Sequence, residues 1–372
     1  MNRLLLLLTI CISSFSFGQY TSIPDPNFEQ ALIDLGHDDV LDGQVLSGNI
    51  SVVTNLDVSG DLVPGGLIIN DLTGIEDFIN LRELDCYQNN LSILDLSQND
   101  SLTRVHCQNN QLTQLNVVNP FIIRCTDNQL VELDLSQANR LTHLYCDNNF
   151  LSGLDLSNAS FLKVLFCENN QLSNLVLNCA SSLDYLLCAN NNLTTLDLLN
   201  YQTLNILACQ GNQLTDLNVS TCFDLEGLEC AGNLLTTLDV SNCFNLLALE
   251  CYSNQLNCLD LRNSQNTNLV VVRAIDNPDL TCIQVDNVDF SNIFWLTSTN
   301  NDFMFDSQQY FSEDCGNDCS GTSNLTELNS NQPKALIKIV NLLGQEVEYT
   351  PNTVLIYQYS DGTSEKVFTI ED

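Results

Sequence analysis

The residues of this 372-residue chain best equipped for chemistry are its 17 cysteines, and their spacing sets the first question. Cys86, Cys107, Cys125, Cys146, Cys167, Cys188, Cys209, Cys230 and Cys251 follow one another at 21 residues, with a single step of 18. A row of thiols could form disulfides, hold a metal or supply nucleophiles. Each use meets an obstacle. In register on parallel strands, neighbouring Cβ atoms would run parallel at about 4.8 Å, whereas a disulfide draws them to about 3.8 Å. No C-x-x-C pair occurs, and no histidine column accompanies the thiols. The three histidines are His37, His106 and His143. The last two fall two repeats apart, roughly 9.6 Å at sheet spacing, too far to share an ion. No G-x-S-x-G, H-E-x-x-H or Gly-rich phosphate loop is present. A column of Asp95, Asp134, Asp155, Asp197, Asp239 and Asp260 could recruit calcium, but Asn116, Val176 and Asn218 interrupt it and a solvated outer face is the plainer reading. The sequence names no catalytic residue, no metal site and no cofactor, and its periodic cysteines read as small buried hydrophobes.

The elements that must position these side chains follow from the same period. Three residues after each cysteine stands an asparagine: Asn89, Asn110, Asn128, Asn149, Asn170, Asn191, Asn212, Asn233 and Asn254, with Asn277 in a tenth copy where Ala274 replaces Cys. Two residues before each Cys is Leu, Val or Ile, and five after it is Leu, from Leu91 to Leu256. The apolar pair at a spacing of two predicts a short strand pointing both residues inward. A second triplet, such as Leu94-Asp95-Leu96, predicts the opposite wall. One coil cannot bury these stripes alone, so coils must stack. The unit L-x-x-L-x-C-x-x-N-x-L-x-x-L-D-L-S resembles the leucine-rich repeat over about residues 56–285. The resemblance implies a repeat solenoid of 21-residue coils with a parallel β-sheet on its concave face. A buried amide where the chain leaves the strand would satisfy backbone groups of its own and neighbouring coils.

On that concave sheet the residues three and one before each cysteine face out. They assemble Ile122, Tyr145, Val164, Phe166, Tyr185, Leu187 and Ile206 into a run across adjacent coils, bordered by Arg104, His106, Arg124 and His143 on one side and by Glu229 and Glu250 on the other. Apolar clusters open to solvent mark interaction sites, and aromatics with Arg are favoured at interface cores. This face is the candidate partner-binding site.

The rest of the chain frames the solenoid. Residues 1–18, with Arg3, the nine-residue stretch Leu4 to Ile12 and Ser16-Phe17-Gly18, read as a signal peptide, too short in its apolar part to span a bilayer. Residues 19–48 form an N-terminal cap: Asp25-Pro26 opens a short helix that buries Phe28, Ala31, Leu32 and Leu35 and ends at Gly36. The solenoid occupies 49–285 and a C-terminal cap 286–315, which resembles that of secreted leucine-rich proteins of Bacteroidetes. Cys282 and Cys315, off the periodic column near the open end, are the favoured disulfide pair. Residues 316–332, rich in Gly, Ser, Thr and Asn, read as a linker. The last segment, 333–372, alternates β-branched and aromatic residues around Gly344 and Asp361-Gly362, which predicts strands and a hairpin. Its Asn341-Leu342-Leu343-Gly344-Gln345-Glu346 and Tyr359-Ser360-Asp361-Gly362-Thr363-Ser364-Glu365-Lys366 resemble the type A C-terminal sorting domain of the type IX secretion system, although a leading Y-P-N-P-like segment is lacking. The resemblance implies a small all-β sorting signal, with Gly344, Asp361, Gly362 and Lys366 in its motifs and the secretion machinery as its partner.

Charge narrows the function further. With 46 acidic against 11 basic residues the chain carries a net charge of −35, which excludes non-specific nucleic-acid binding and disfavours anionic membrane surfaces. Two functions remain: a non-catalytic binding or adhesion protein, exported through the periplasm to the outer-membrane surface or beyond, with an unknown extracellular protein or glycan ligand; or an accessory to a secreted hydrolase, or an enzyme with an unrecognised site. The first uses every segment of the chain.

Overall fold

The computed structural model describes residues 19–60, 68–177, 182–298, 301–316 and 319, and the tail strands Leu336–Val340, Val354–Tyr359 and Ser364–Phe368. The predicted signal peptide, Gly344, Asp361 and Gly362 lie outside the described residues, as does the side chain of Lys366. Among the described residues no helix is long and apolar enough to cross a membrane.

Twelve strands, from Asn55–Asp57 to Phe303–Met304, form one parallel sheet, each strand contributed by one coil. The register is strict: Leu84 pairs with Val105, Val105 with Ile123, and Ile123 with Leu144, so one apolar column points inward. These residues, the periodic cysteines and Leu91 to Leu256 are all fully buried. Opposite the sheet lies a wall of shorter parallel pairings, such as Ile93–Asp95 with Gln114–Asn116 and Gly153–Asp155 with Asn174–Val176. The repeat solenoid therefore stands as expected. The 18-residue coil loses its three residues between wall and strand, and the in-register pairing of Arg104–His106 with Ile122–Arg124 survives.

Each buried asparagine joins two coils. Asn170 donates from Nδ2 to the carbonyls of Cys167 and of Cys146 one coil earlier, at 3.2 and 3.0 Å, and its Oδ1 accepts the Leu151 N–H at 3.0 Å. The same set recurs from Asn89 to Asn277. Just before each asparagine the backbone turns left-handed: φ is 52° to 58° at Gln88, Asn109, Asp127, Asn148, Asn169, Asn190, Ser253 and Asp276. Asn and Asp tolerate that region, and Gly211 and Gly232 fill it in two coils. The wall aspartates also have a backbone task. Oδ1 of Asp95, Asp134, Asp155 and Asp239 accepts the N–H two residues on, at 2.8 to 3.0 Å, and Asn218 does the same for Ser220. An Asx turn explains why Asn can replace Asp there. These backbone bonds hold the Asp95, Asp134 and Asp155 carboxyls below the ordinary range.

Both ends are closed. In front, helix α1 (Pro26–Asp34) is capped by Asp25, whose Oδ1 accepts from Asn27 and Phe28 while Oδ2 accepts from Asn70 and Asp71 of the first coil. Phe28 stacks on Phe78 at 6.4 Å between centroids. Leu35, expected on the buried face, is instead exposed, because the helix ends at Asp34 and Leu35 is its C-cap. At the other end Trp295 is buried among Phe303, Phe305 and Phe311. Two disulfides staple this cap, Cys282–Cys315 and Cys258–Cys319. The second shifts the linker boundary: Cys319 falls in the segment 316–332 whose composition reads as a linker, but its bond to the wall strand Cys258–Asp260 ties it to the solenoid. The remaining eleven described cysteines are free and buried, and burial pushes their thiols upward, Cys209 to about 12. The tail, a separate unit from residue 322, places Val354–Tyr359 between Leu336–Val340 and Ser364–Phe368 in an antiparallel sheet.

Replacing Asn170 by Ala strands the buried Leu151 N–H and leaves the Cys146 and Cys167 carbonyls with one amide donor each, from Asn149 and Asn191, and should lower stability by about 2 kcal/mol in urea melts followed by circular dichroism. Asn169→Gly, one position earlier, should change it by only a few tenths of a kcal/mol, since glycine accepts the left-handed backbone. Equal effects at the two positions would contradict the role given to the buried amide.

Candidate functional site

The outer face of the long sheet is built by strand alternation. On either side of each buried central residue, two side chains project away from the core. Six adjacent strands, Arg104–His106, Ile122–Arg124, His143–Tyr145, Val164–Phe166, Tyr185–Leu187 and Ile206–Ala208, bring all eleven expected residues onto one continuous surface. Val164, Tyr185 and Ile206 are direct cross-strand neighbours, as are Tyr145, Phe166 and Leu187.

The aromatic members touch. Tyr145 meets Phe166 edge-on at 5.1 Å between centroids, His143 stacks over Tyr145 at 6.4 Å, and the Arg124 guanidinium lies 4.9 Å from the Tyr145 ring centre. Such pairs add roughly 0.5–1.5 kcal/mol beyond their burial. Neighbouring strands shade each other, so most of these side chains are half-buried; Tyr185 and Arg124 are exposed. The cations on the N-terminal border are less available than their position suggests. Arg104 pairs with Glu83, and His106 Nδ1 lies 2.6 Å from Asp85 Oδ1. Burial lowers the pKa of His106, opposed by Asp85, and burial also lowers that of His143, with Lys163 and Arg124 adding to the effect. At 2.6 Å the His106–Asp85 contact is a hydrogen bond from the ring Nδ1 to the carboxylate.

Two flanking columns escaped the sequence reading. Immediately after the cysteines stand Asp147 and Glu168, and one residue before each strand stand Asp184, Asn205 and Glu226. Asp184, Asp224, Glu226 and Tyr185, with Thr203, Asn205 and Asn245, line a recess of about 430 Å³ along the entry edge of the sheet. The signal was available in the repeat alignment: the column after the cysteines is acidic in two successive coils, Asp147 and Glu168, and the column before the strands is acidic or amide in three, Asp184, Asn205 and Glu226. Burial raises the carboxyl pKa of Asp147, Glu168 and Glu229; Asp147 adds to the shift at Glu168 and Glu250 to that at Glu229. Among the described residues no three acidic, histidine or cysteine side chains are grouped to hold a metal.

In comparisons with solved structures, the functional domain of InlJ from Listeria monocytogenes, which includes a cysteine ladder, is similar to this chain at 29% identity and a TM-score of 0.56. The match covers 74% of this chain and 69% of that one. The fold is a leucine-rich repeat solenoid. A leucine-rich repeat protein of Leptospira interrogans is similar at 23% identity, a TM-score of 0.45 and coverage of 64% and 75%. An internalin of Listeria monocytogenes, InlF, matches at 19% identity and a TM-score of 0.42, over 71% of this chain and 96% of that one. No family model matches the sequence, and no curated protein matches it. In this leucine-rich repeat chain the cysteine column is the innermost rung of each coil and the outward columns are where coils differ.

The raised carboxyl of Glu168 gives a pH-dependent expectation. A folded pKa above the unfolded value penalises folding above the folded pKa, and the penalty vanishes below the unfolded value near 4.3. Glu168→Gln should therefore raise the urea midpoint at pH 7, modestly because the group is partly solvated. The gain should shrink as pH falls toward 4; a gain that grew on acidification would reverse the assignment.

Proposed function

We propose that this leucine-rich repeat protein is a non-catalytic binding protein that acts outside the cell, engaging a protein or glycan partner through the outer face of its long sheet. The observation that carries the proposal is the unbroken apolar and aromatic surface from Tyr145 to Ile206 across adjacent strands. All-parallel sheets ordinarily have both faces covered; here the core takes one face, and the other presents Tyr185 with 41% of its surface exposed. Isolated apolar side chains at a surface need no explanation, but a run across coils does.

Export and delivery complete the proposal. Residues 1–18 act as the signal peptide that takes the chain into the periplasm, and the tail from 333 acts as a type IX sorting signal that carries it to the outer-membrane surface or releases it beyond. The antiparallel arrangement of the three tail strands suits a small β signal of this kind, and the paired cysteines of the C-terminal cap suit an oxidising compartment.

Replacing Tyr145, Phe166 and Tyr185 together by Ser should abolish capture of partners in a pull-down from the native environment, with the melting temperature of the solenoid little changed. Capture undiminished by the triple substitution would reject this face as the docking site. Removing the last dozen residues should leave the protein in the periplasm, as measured by fractionation; normal delivery to the surface would reject the sorting role.

A further inference from the structure

The apolar surface is bracketed by carboxylates that take part in none of the described ion pairs. Asp147 and Glu168 flank it along one edge, Asp184 and Glu226 along the other, and Glu229 continues its axis toward the C-terminal coils. The described ion pairs use Glu83, Asp85, Glu250 and Asp260, and none of those five bracketing carboxylates. Three arginines are spent elsewhere, Arg104 on Glu83, Arg273 on Glu250 and Arg262 on Asp260; Arg124 lies over the Tyr145 ring, and Lys163, one coil before Asp184 in the same column, makes no described ion pair with it. The middle of the sheet is thus an aromatic strip with two carboxylates on each edge that are in no described ion pair.

Resting on the docking face proposed above, we infer that its partner is a polypeptide segment in which Lys or Arg residues flank apolar ones. The apolar residues would lie along Tyr145, Phe166 and Tyr185, and the cations would reach the carboxylates on both edges. Charge complementarity selects this occupant. Basic side chains supply the donors that the acidic edges lack, and their aliphatic stems cover apolar surface. An acidic or neutral segment would leave the edges as they are. The dimensions agree: the strip spans four strands, about 14 Å, and Glu229 adds about 5 Å, a length covered by a segment of about six extended residues.

The test uses the exported chain and a synthetic heptapeptide alternating lysine with leucine and phenylalanine, with its glutamate counterpart and cellohexaose as comparisons. Because the whole molecule is acidic, two variants remove equal charge. One is Glu168→Gln/Asp184→Asn/Glu226→Gln at the edges of the strip; the other is Asp134→Asn/Asp155→Asn/Asp197→Asn on the wall, where Asn also forms the turn. The lysine peptide should bind, more weakly as salt rises, and the glutamate peptide and cellohexaose should not. The edge variant should weaken binding about tenfold or more and the wall variant less than about twofold, as for local rather than net charge. Equal weakening by both variants, no preference over the glutamate peptide, or preference for cellohexaose would overturn the inference. The aromatic-to-Ser variant separates the two proposals. If it binds the lysine peptide normally while the edge variant does not, the apolar docking face fails and the charge recognition stands. If it loses captured native partners while the wild type ignores the lysine peptide, the docking face stands and the charge recognition fails.

Discussion

Where each coil leaves its strand, the left-handed residue two positions beyond the cysteine swings the chain away, and the cysteine carbonyl turns to side-chain amides for its hydrogen bonds. The carbonyl of Cys146 accepts from Asn149 of its own coil and from Asn170 of the next. An unpaired carbonyl in that dry position would be strongly unfavourable. Meeting this demand fixes the rest: the amide must be buried, the residue before it must accept positive φ, and the residue three before it must be small enough to let strands pack at parallel-sheet spacing. Cysteine meets the last condition while remaining apolar. Its burial also keeps the thiol protonated.

Much of this was legible in the sequence because it is periodic. The Cys and Asn columns, the inward leucines and the wall triplet each repeat often enough to be read as structure. What escaped reading depends on contacts that no period reports. Leu35 continues the spacing of the helix yet lies beyond its last turn. Cys319 sits in a segment whose composition says linker, and only the placement of Cys258 on a wall strand draws it into the fold. The wall aspartates read as a solvated outer face, and the turns they close leave no trace in composition because their backbone partners lie two residues along. At the candidate site the outward residues were legible from alternation, whereas the pairing of Arg104 with Glu83 and of His106 with Asp85 needed coordinates. Those pairings change the electrostatic picture of the face: a border that reads as positive is largely neutralised.

The charge of the chain is distributed with a purpose that its total of −35 conceals. Wall carboxylates cap turns and face water, where repulsion is screened over about 10 Å. The basic residues near the sheet answer particular acids: Arg104 answers Glu83, and Arg273 answers Glu250. Beside the apolar strip this matching stops, and burial there raises the carboxyls of Asp147, Glu168 and Glu229. It is beside this strip that the proposed basic partner would supply the pairing.

Because each buried amide ties its own coil to the one before and to no other, load applied to the chain passes from coil to coil in series. A pull would release one coil at a time, each yielding a tether of roughly 70 Å from its 21 residues. At the far end the bond between Cys258 and Cys319 closes the last coils into a covalent loop that tension cannot open. The solenoid is in this sense a ratcheted spring with a welded end: it can lengthen under shear without surrendering its final turns, and each released coil can wind back onto a template that never left.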